Sequence, residues 1–401
     1  MRWVRVAAAA VAVSAVLLTP VPARAANVCE SPEPKNPVTK GVPIEDQMYA
    51  PKRLAPLATG AGVRVAVIDS GVDADHAQLG DKVDKGADFL HNDNSGRQDC
   101  VGHGTAVASL IAAGPSQDTG FQGLAPDATI VPIRISEQQE IDGEAVGERG
   151  TPKQFADAID FAVEQADADV INLSLVMTTD NTDVKRAVQR AVDAGVIVVA
   201  AAGNNATAEG GNPVPFPASY DGVIGVGATT AEGTRATYSQ HGKYVDIAAV
   251  GDNVTVAWRG TGHAVVQGTS FAAPFVSATV ALIKQRFPDA TPDEIFRRLT
   301  ATADPAPGGD KSDDYGYGLL NPYRALTESL GPATRAPRPP AVMSGNDPEA
   351  AALAARRARS EERAMLFGAI GMVAALLLGV VALIMRRGRQ RGWRPATPDP
   401  Q

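Results

Sequence analysis

Cysteine is almost absent from this chain of 401 residues, which holds only Cys29 and Cys100. Two thiols allow one disulfide and nothing more elaborate. Histidine is scarce as well. His76, His91, His241 and His263 stand at no metal-ligand spacing and read as structural or exposed side chains. No acidic loop has the pattern of a calcium site, so neither a metal nor a cofactor is expected. Basic charge is missing from the middle of the chain, because Lys and Arg collect towards the two ends while the net charge is −8. An acidic, solvated body argues against nucleic acid as a ligand. What the chain has is 44% hydrophobic residues, ample for one large α/β core with appendages.

Residues 1–25 read as a secretory signal peptide: Arg2 and Arg5, an apolar run, then Ala23, Arg24 and Ala25 as a small-x-small cleavage site. Export would place Cys29 and Cys100 in an oxidising compartment, where they are natural disulfide partners. A free buried pair is the alternative. On the chain-entropy model such a bond would contribute about 3 to 5 kcal/mol. Residues 365–385 are apolar and uncharged, about the length a helix needs to cross a bilayer, and a basic tail follows at 386–401. Together these predict a single C-terminal transmembrane helix with the main domain outside. Residues 26–60 are proline-rich and read as an extended arm. Residues 331–364 read as a proline-rich linker and stalk between a domain at 61–330 and the membrane.

Within that domain apolar strand patterns alternate with helical ones. Residues 63–68, 130–135, 170–175, 196–201 and 223–226 read as strands, and residues 152–165 and 183–194 as amphipathic helices. This alternation predicts an α/β fold with a mostly parallel sheet between two helical layers. Residues 137–150, acidic and glycine-bearing, read as a surface loop.

Three motifs carry chemistry. Asp69-Ser70-Gly71 ends the first strand with a carboxylate, His103-Gly104-Thr105 opens a helical run with an imidazole, and Gly268-Thr269-Ser270 places a hydroxyl where a strand pattern gives way to a helix. A serine hydroxyl is a weak nucleophile unless a base takes its proton and a third group holds that base. Asp69, His103 and Ser270 are the candidates for those roles, and their order along the chain is one of the known orders of this triad.

With these motifs the chain resembles the subtilisin-like serine proteases. That resemblance implies the subtilisin-like three-layer fold and peptide hydrolysis through an acyl-enzyme. It gives Asn204, in Ala202-Gly203-Asn204-Asn205, the role of a side-chain oxyanion donor beside the Ser270 N–H. It makes Asn172, Leu173, Ser174 and Leu175 the edge along which a substrate backbone aligns, with Val176 standing where many relatives have glycine. Residues 26–62 are too few for the folded inhibitory propeptide that many subtilases carry. Signal peptide, short arm, protease domain, linker, membrane helix and basic tail together resemble the mycosins, membrane-anchored subtilases of type VII secretion systems. A second disulfide frequent in mycosins has no cysteines here. The resemblance implies a polypeptide substrate, limited processing tied to a type VII secretion membrane complex, and a location at the cell membrane. An anchored scaffold with secondary or no catalysis is the alternative; a broad degradative protease fits the anchor poorly.

Overall fold

The computed structural model describes residues 35–331 apart from 142–143, 208–210 and 310. Seven parallel strands form the central sheet. They are β1 (Arg64–Asp69), β2 (Ala87–Asp88), β3 (Thr129–Arg134), β6 (Val170–Leu173), β7 (Ile197–Ala201), β8 (Val223–Thr229) and β9 (Ile247–Val250). Their order across the sheet is β2-β3-β1-β6-β7-β8-β9. Two hairpins, β4 (Gln139–Ile141) with β5 (Glu144–Val146) and β10 (Val254–Ala257) with β11 (His263–Val266), stand outside it.

Alternation along the strands sends side chains to two cores. Val65 and Val67 of β1 face the core that holds α3 (His103–Ala112) and α6 (Thr269–Arg286). Ala66 and Ile68 face the core that holds α4 (Pro152–Glu164) and α5 (Thr182–Asp193). Burial on both faces is why these strands read as continuous apolar runs. Helix α6 is the centre of the first core, buried from Thr269 to Ile283. A helix so enclosed needs apolar or small residues all round, as this one has. The expected α/β architecture is therefore present, with α7 (Pro292–Ala301) and α8 (Pro322–Thr327) completing the domain.

After β1 the chain moves one way to β3, then returns to β1's other side with β6, so the direction of winding reverses between β1 and β6. In open α/β sheets such a switch opens a crevice at the carboxyl ends of the strands. Asp69, Ser174 and Asn204 all lie at those ends.

Several expectations need correction. The arm is not wholly extended: α1 (Ile44–Tyr49) and α2 (Pro51–Leu54) interrupt it. Its prolines do not break these helices because Pro43 precedes α1 and Pro51 occupies the first turn of α2, where no donor is needed. Tyr49 and Leu54 anchor the arm in the core, with the Tyr49 ring tilted against Phe275 of α6 at a centroid distance of 4.8 Å. Residues 137–150 carry the β4–β5 hairpin and are not a plain loop. The alanine-rich β9 and the short β10 were not among the expected strands, whereas β11 is the strand that gives way to the helix at Ser270, and β6 ends at Leu173, two residues earlier than expected. Cys100 is buried and is not a free thiol; its expected partner Cys29 lies outside the described residues. So do the signal peptide, nearly all of the linker, the apolar span at 365–385 and the tail. Among the described residues no helix is long and apolar enough to cross a membrane.

Candidate active site

The crevice brings the separated motifs into one cleft, lined by Asp69, His103, Asn204 and Ser270 together with Ser174 and Val176. Asp69 closes β1 and is fully buried, and its Oδ1 accepts His103 Nδ1–H at 2.7 Å and the Ser70 N–H at 2.7 Å. A buried carboxylate so placed fixes the imidazole tautomer with Nε2 free of its proton. His103 is the first residue of α3, behind Gly102, whose positive φ of 97° lets the Trp258 ring pack directly against it. Burial alone would push the His103 value down, but the Asp69 charge and hydrogen bond outweigh it, with Asp99 adding, so the ring lies above its usual 6.5.

Asp99 had no role in the sequence reading, yet it holds the turn on which His103 stands. Its buried carboxylate accepts the N–H groups of Val101, Gly102 and Thr105 and the hydroxyls of Ser70 and Thr105. Burial pushes its value up while these donors pull it down. Ser70 passes the support on, since its Oγ also accepts the Gly104 N–H at 2.8 Å.

Ser270 is the second residue of α6, and its N–H has no backbone partner, as expected in a first helical turn. Its Oγ donates to the Ser174 carbonyl at 3.1 Å and makes no hydrogen bond to His103. Serine–histidine bonds are often loose in an empty site. The Ser270 carbonyl would normally accept from the residue four positions on, but that residue is Pro274, which has no N–H. Ser174 Oγ donates to it instead, at 2.8 Å. Ser174 is in turn held by Asn172 Nδ2, and Asn172 Oδ1 accepts from Ser277 Oγ at 2.8 Å. A chain of side chains thus ties β6 to α6 behind Ser270.

Asn204 Oδ1 accepts both the N–H and the hydroxyl of Thr269 at 2.8 Å. Two donors on one atom settle which end is oxygen, and leave the Nδ2 hydrogens for the cleft. Thr269 Oγ1 is itself held by the Gly203 N–H.

Of the edge expected to align a substrate, Ser174 and Leu175 line the cleft. Asn172 and Leu173 do not; both are fully buried in β6, so neither reaches a bound peptide. Val176 lines the cleft, and its carbonyl accepts from Arg149 Nη2 at 2.9 Å. Sequence reasoning passed over Arg149 because it sits in the acidic stretch 137–150. His76 and His263 are buried and hydrogen-bonded, while His91 is half-exposed beside Asp88. Among the described residues no group of three or more His, Cys, Asp or Glu could hold a metal ion.

Comparison with known proteins places the chain among serine proteases. The Subtilase family (Peptidase S8) model matches residues 60–318. Mycosin-1 of Mycobacterium tuberculosis is 35% identical over 378 residues, spanning 81% of each chain. Subtilisin DY of Bacillus licheniformis is 35% identical over 284 residues, 71% of this chain and 97% of that one. The crystal structure of MycP1 with its N-terminal propeptide removed matches with TM-score 0.64 and 31% identity, over 73% of this chain and 99% of that one. MycP1 from the ESX-1 type VII secretion system matches with TM-score 0.63 and 31% identity, over 75% of this chain and 92% of that one.

Proposed function

We propose, since this chain belongs to the subtilase family, that Asp69, His103 and Ser270 are its catalytic triad and Asn204 its oxyanion donor. The chain is a mycosin-like serine-type endopeptidase. Ser270 attacks the scissile carbonyl as His103 Nε2 takes its proton; the ring then returns the proton to the leaving amine. Asp69 orients the ring and stabilises the imidazolium. The Asn204 amide and the Ser270 N–H receive the oxyanion that develops only in the transition state, where one such donor contributes about 3 to 4 kcal/mol, a size known from subtilisin itself. The observation that carries this reading is the 2.7 Å His103–Asp69 bond in the cleft where Ser270 also lies.

Sequence and relatives support a setting for this activity. The chain covers most of Mycosin-1 and aligns with MycP1 of a type VII secretion system. Limited processing of a polypeptide, by a domain outside the membrane at 61–330 held by a single span at 365–385, is the function we assign, within or beside a type VII secretion complex. The pairing of Cys29 with Cys100 belongs to the same proposal.

The test is labelling of the full chain with a fluorophosphonate. Wild type should label, whereas Ser270→Ala and His103→Ala should not. A folded wild-type chain that resists the reagent would point to the scaffold role instead.

A further inference from the structure

Two extended edges face each other across the cleft. One is formed by residues 135–137 paired with 148–150, through the Ser136–Arg149 bridge and the Gly150 N–H to Ile135 carbonyl bond of 2.7 Å. The other is Ser174 to Val176. The Arg149 guanidinium spans the gap, donating to the Val176 carbonyl at 2.9 Å. Arg149 lines the cleft that holds Ser270 and also the adjoining apolar pocket of Phe155, Leu175 and Met177. It is the one Lys or Arg lining either, among the described residues, and it forms no ion pair there. The carboxylates that line the cleft and the pocket among the described residues are engaged elsewhere, Asp69 by His103 and Asp180 by the Tyr220 hydroxyl.

A peptide that adds itself as a strand along Ser174 to Val176 needs the Val176 carbonyl for its own N–H. The guanidinium must then let go. Beside an apolar wall its best replacement is a carboxylate, which accepts two parallel N–H groups from the planar fork. We infer that Arg149 is a specificity-determining residue that favours peptides carrying Asp or Glu at one fixed position near the scissile bond. This inference rests on the protease reading above. A neutral peptide displaces Arg149 from Val176 and offers it nothing; an acidic one supplies the partner.

The test is digestion of a proteome-derived peptide mixture by the full chain, with cleavage sites read by mass spectrometry. Wild type should show Asp and Glu enriched at one position about two- to fivefold, the range an exposed ion pair gives. Arg149→Lys, which keeps the charge but not the planar fork, should keep only part of that enrichment. Arg149→Ala should lose it, and Arg149→Glu should replace it with Lys and Arg. A residue that merely holds the fold would lower all cleavage and leave the profile alone. Cleavage with no acidic preference, or one unchanged in Arg149→Ala and Arg149→Glu, overturns the inference and leaves the protease reading standing. Wild type no more active than Ser270→Ala overturns both.

Discussion

The Ser270 hydroxyl rests on the Ser174 carbonyl while His103 is already locked to Asp69, so the proposed base is arranged before the proposed nucleophile turns to it. The consequence belongs to His103. Only the neutral ring can take a proton, and Asp69 raises its value above the usual 6.5. The acid limb of kcat/KM, which reports the free enzyme, should therefore fall off above 6.5. Replacing Asp69 by Asn removes the charge that raises it, so that limb should move to lower pH while kcat drops about 10⁴-fold through the wrong tautomer. A limb unchanged between wild type and Asp69→Asn would detach it from His103. At this scale the sequence offered residues whose own chemistry suits a role, and Asp69, His103, Ser270 and Asn204 do lie in one cleft. The sequence was unreadable where a residue acts through another. Ser174 appeared as one of four edge residues, but its role as stand-in donor for Pro274 needs β6 and α6 side by side.

At the scale of elements, α3 is the one that presents His103, and its start depends on Asp99. Without that carboxylate three backbone N–H groups and two hydroxyls would be buried with no acceptor. A buried unsatisfied group costs about 1 to 3 kcal/mol. Asp99→Ala should accordingly lower unfolding free energy in urea by at least about 3 kcal/mol, with Asp99→Asn losing less; near-wild-type stability would show that water takes the carboxylate's place. Helix starts with the usual signals were legible: Thr151 caps α4 with Pro152 and Gln154 behind it, and Thr291 caps α7 with Pro292 and Glu294. Helices α1 and α2 were not, since so short a segment is helical only because the domain buries its Tyr49 and Leu54.

For the molecule as a whole, residues 35–60, the described part of the arm, belong to the core without covering the site. No residue of 35–60 lines the cleft. Glu45 is fully buried, with Oε1 accepting the Thr255 N–H and Oε2 unpartnered, and burial pushes its value up from 4.5 to about 7. Asp46 beside it is raised by burial to about 7 as well. Between the unfolded and folded values the folded chain keeps protons that the unfolded chain has released, so stability falls as pH climbs from about 4.5 to about 7. Glu45→Gln, permanently neutral, should reduce the decline in Tm across that window and leave a remainder from Asp46; an undiminished decline would show that Glu45 does not hold its proton. By itself the sequence determined the alternating α/β pattern, the three motifs and their order, because strand burial and reactive side chains are local properties written in residue type. Only the tertiary structure decided that Asn172 and Leu173 are hidden, that Asp99 supports His103, that the arm packs on α6 and that Arg149 bridges the cleft. Apart from the Asp99 turn, most of whose donors lie two to six residues away, these depend on segments far apart in the chain, fixed by how the sheet winds and reverses, and no local pattern encodes that.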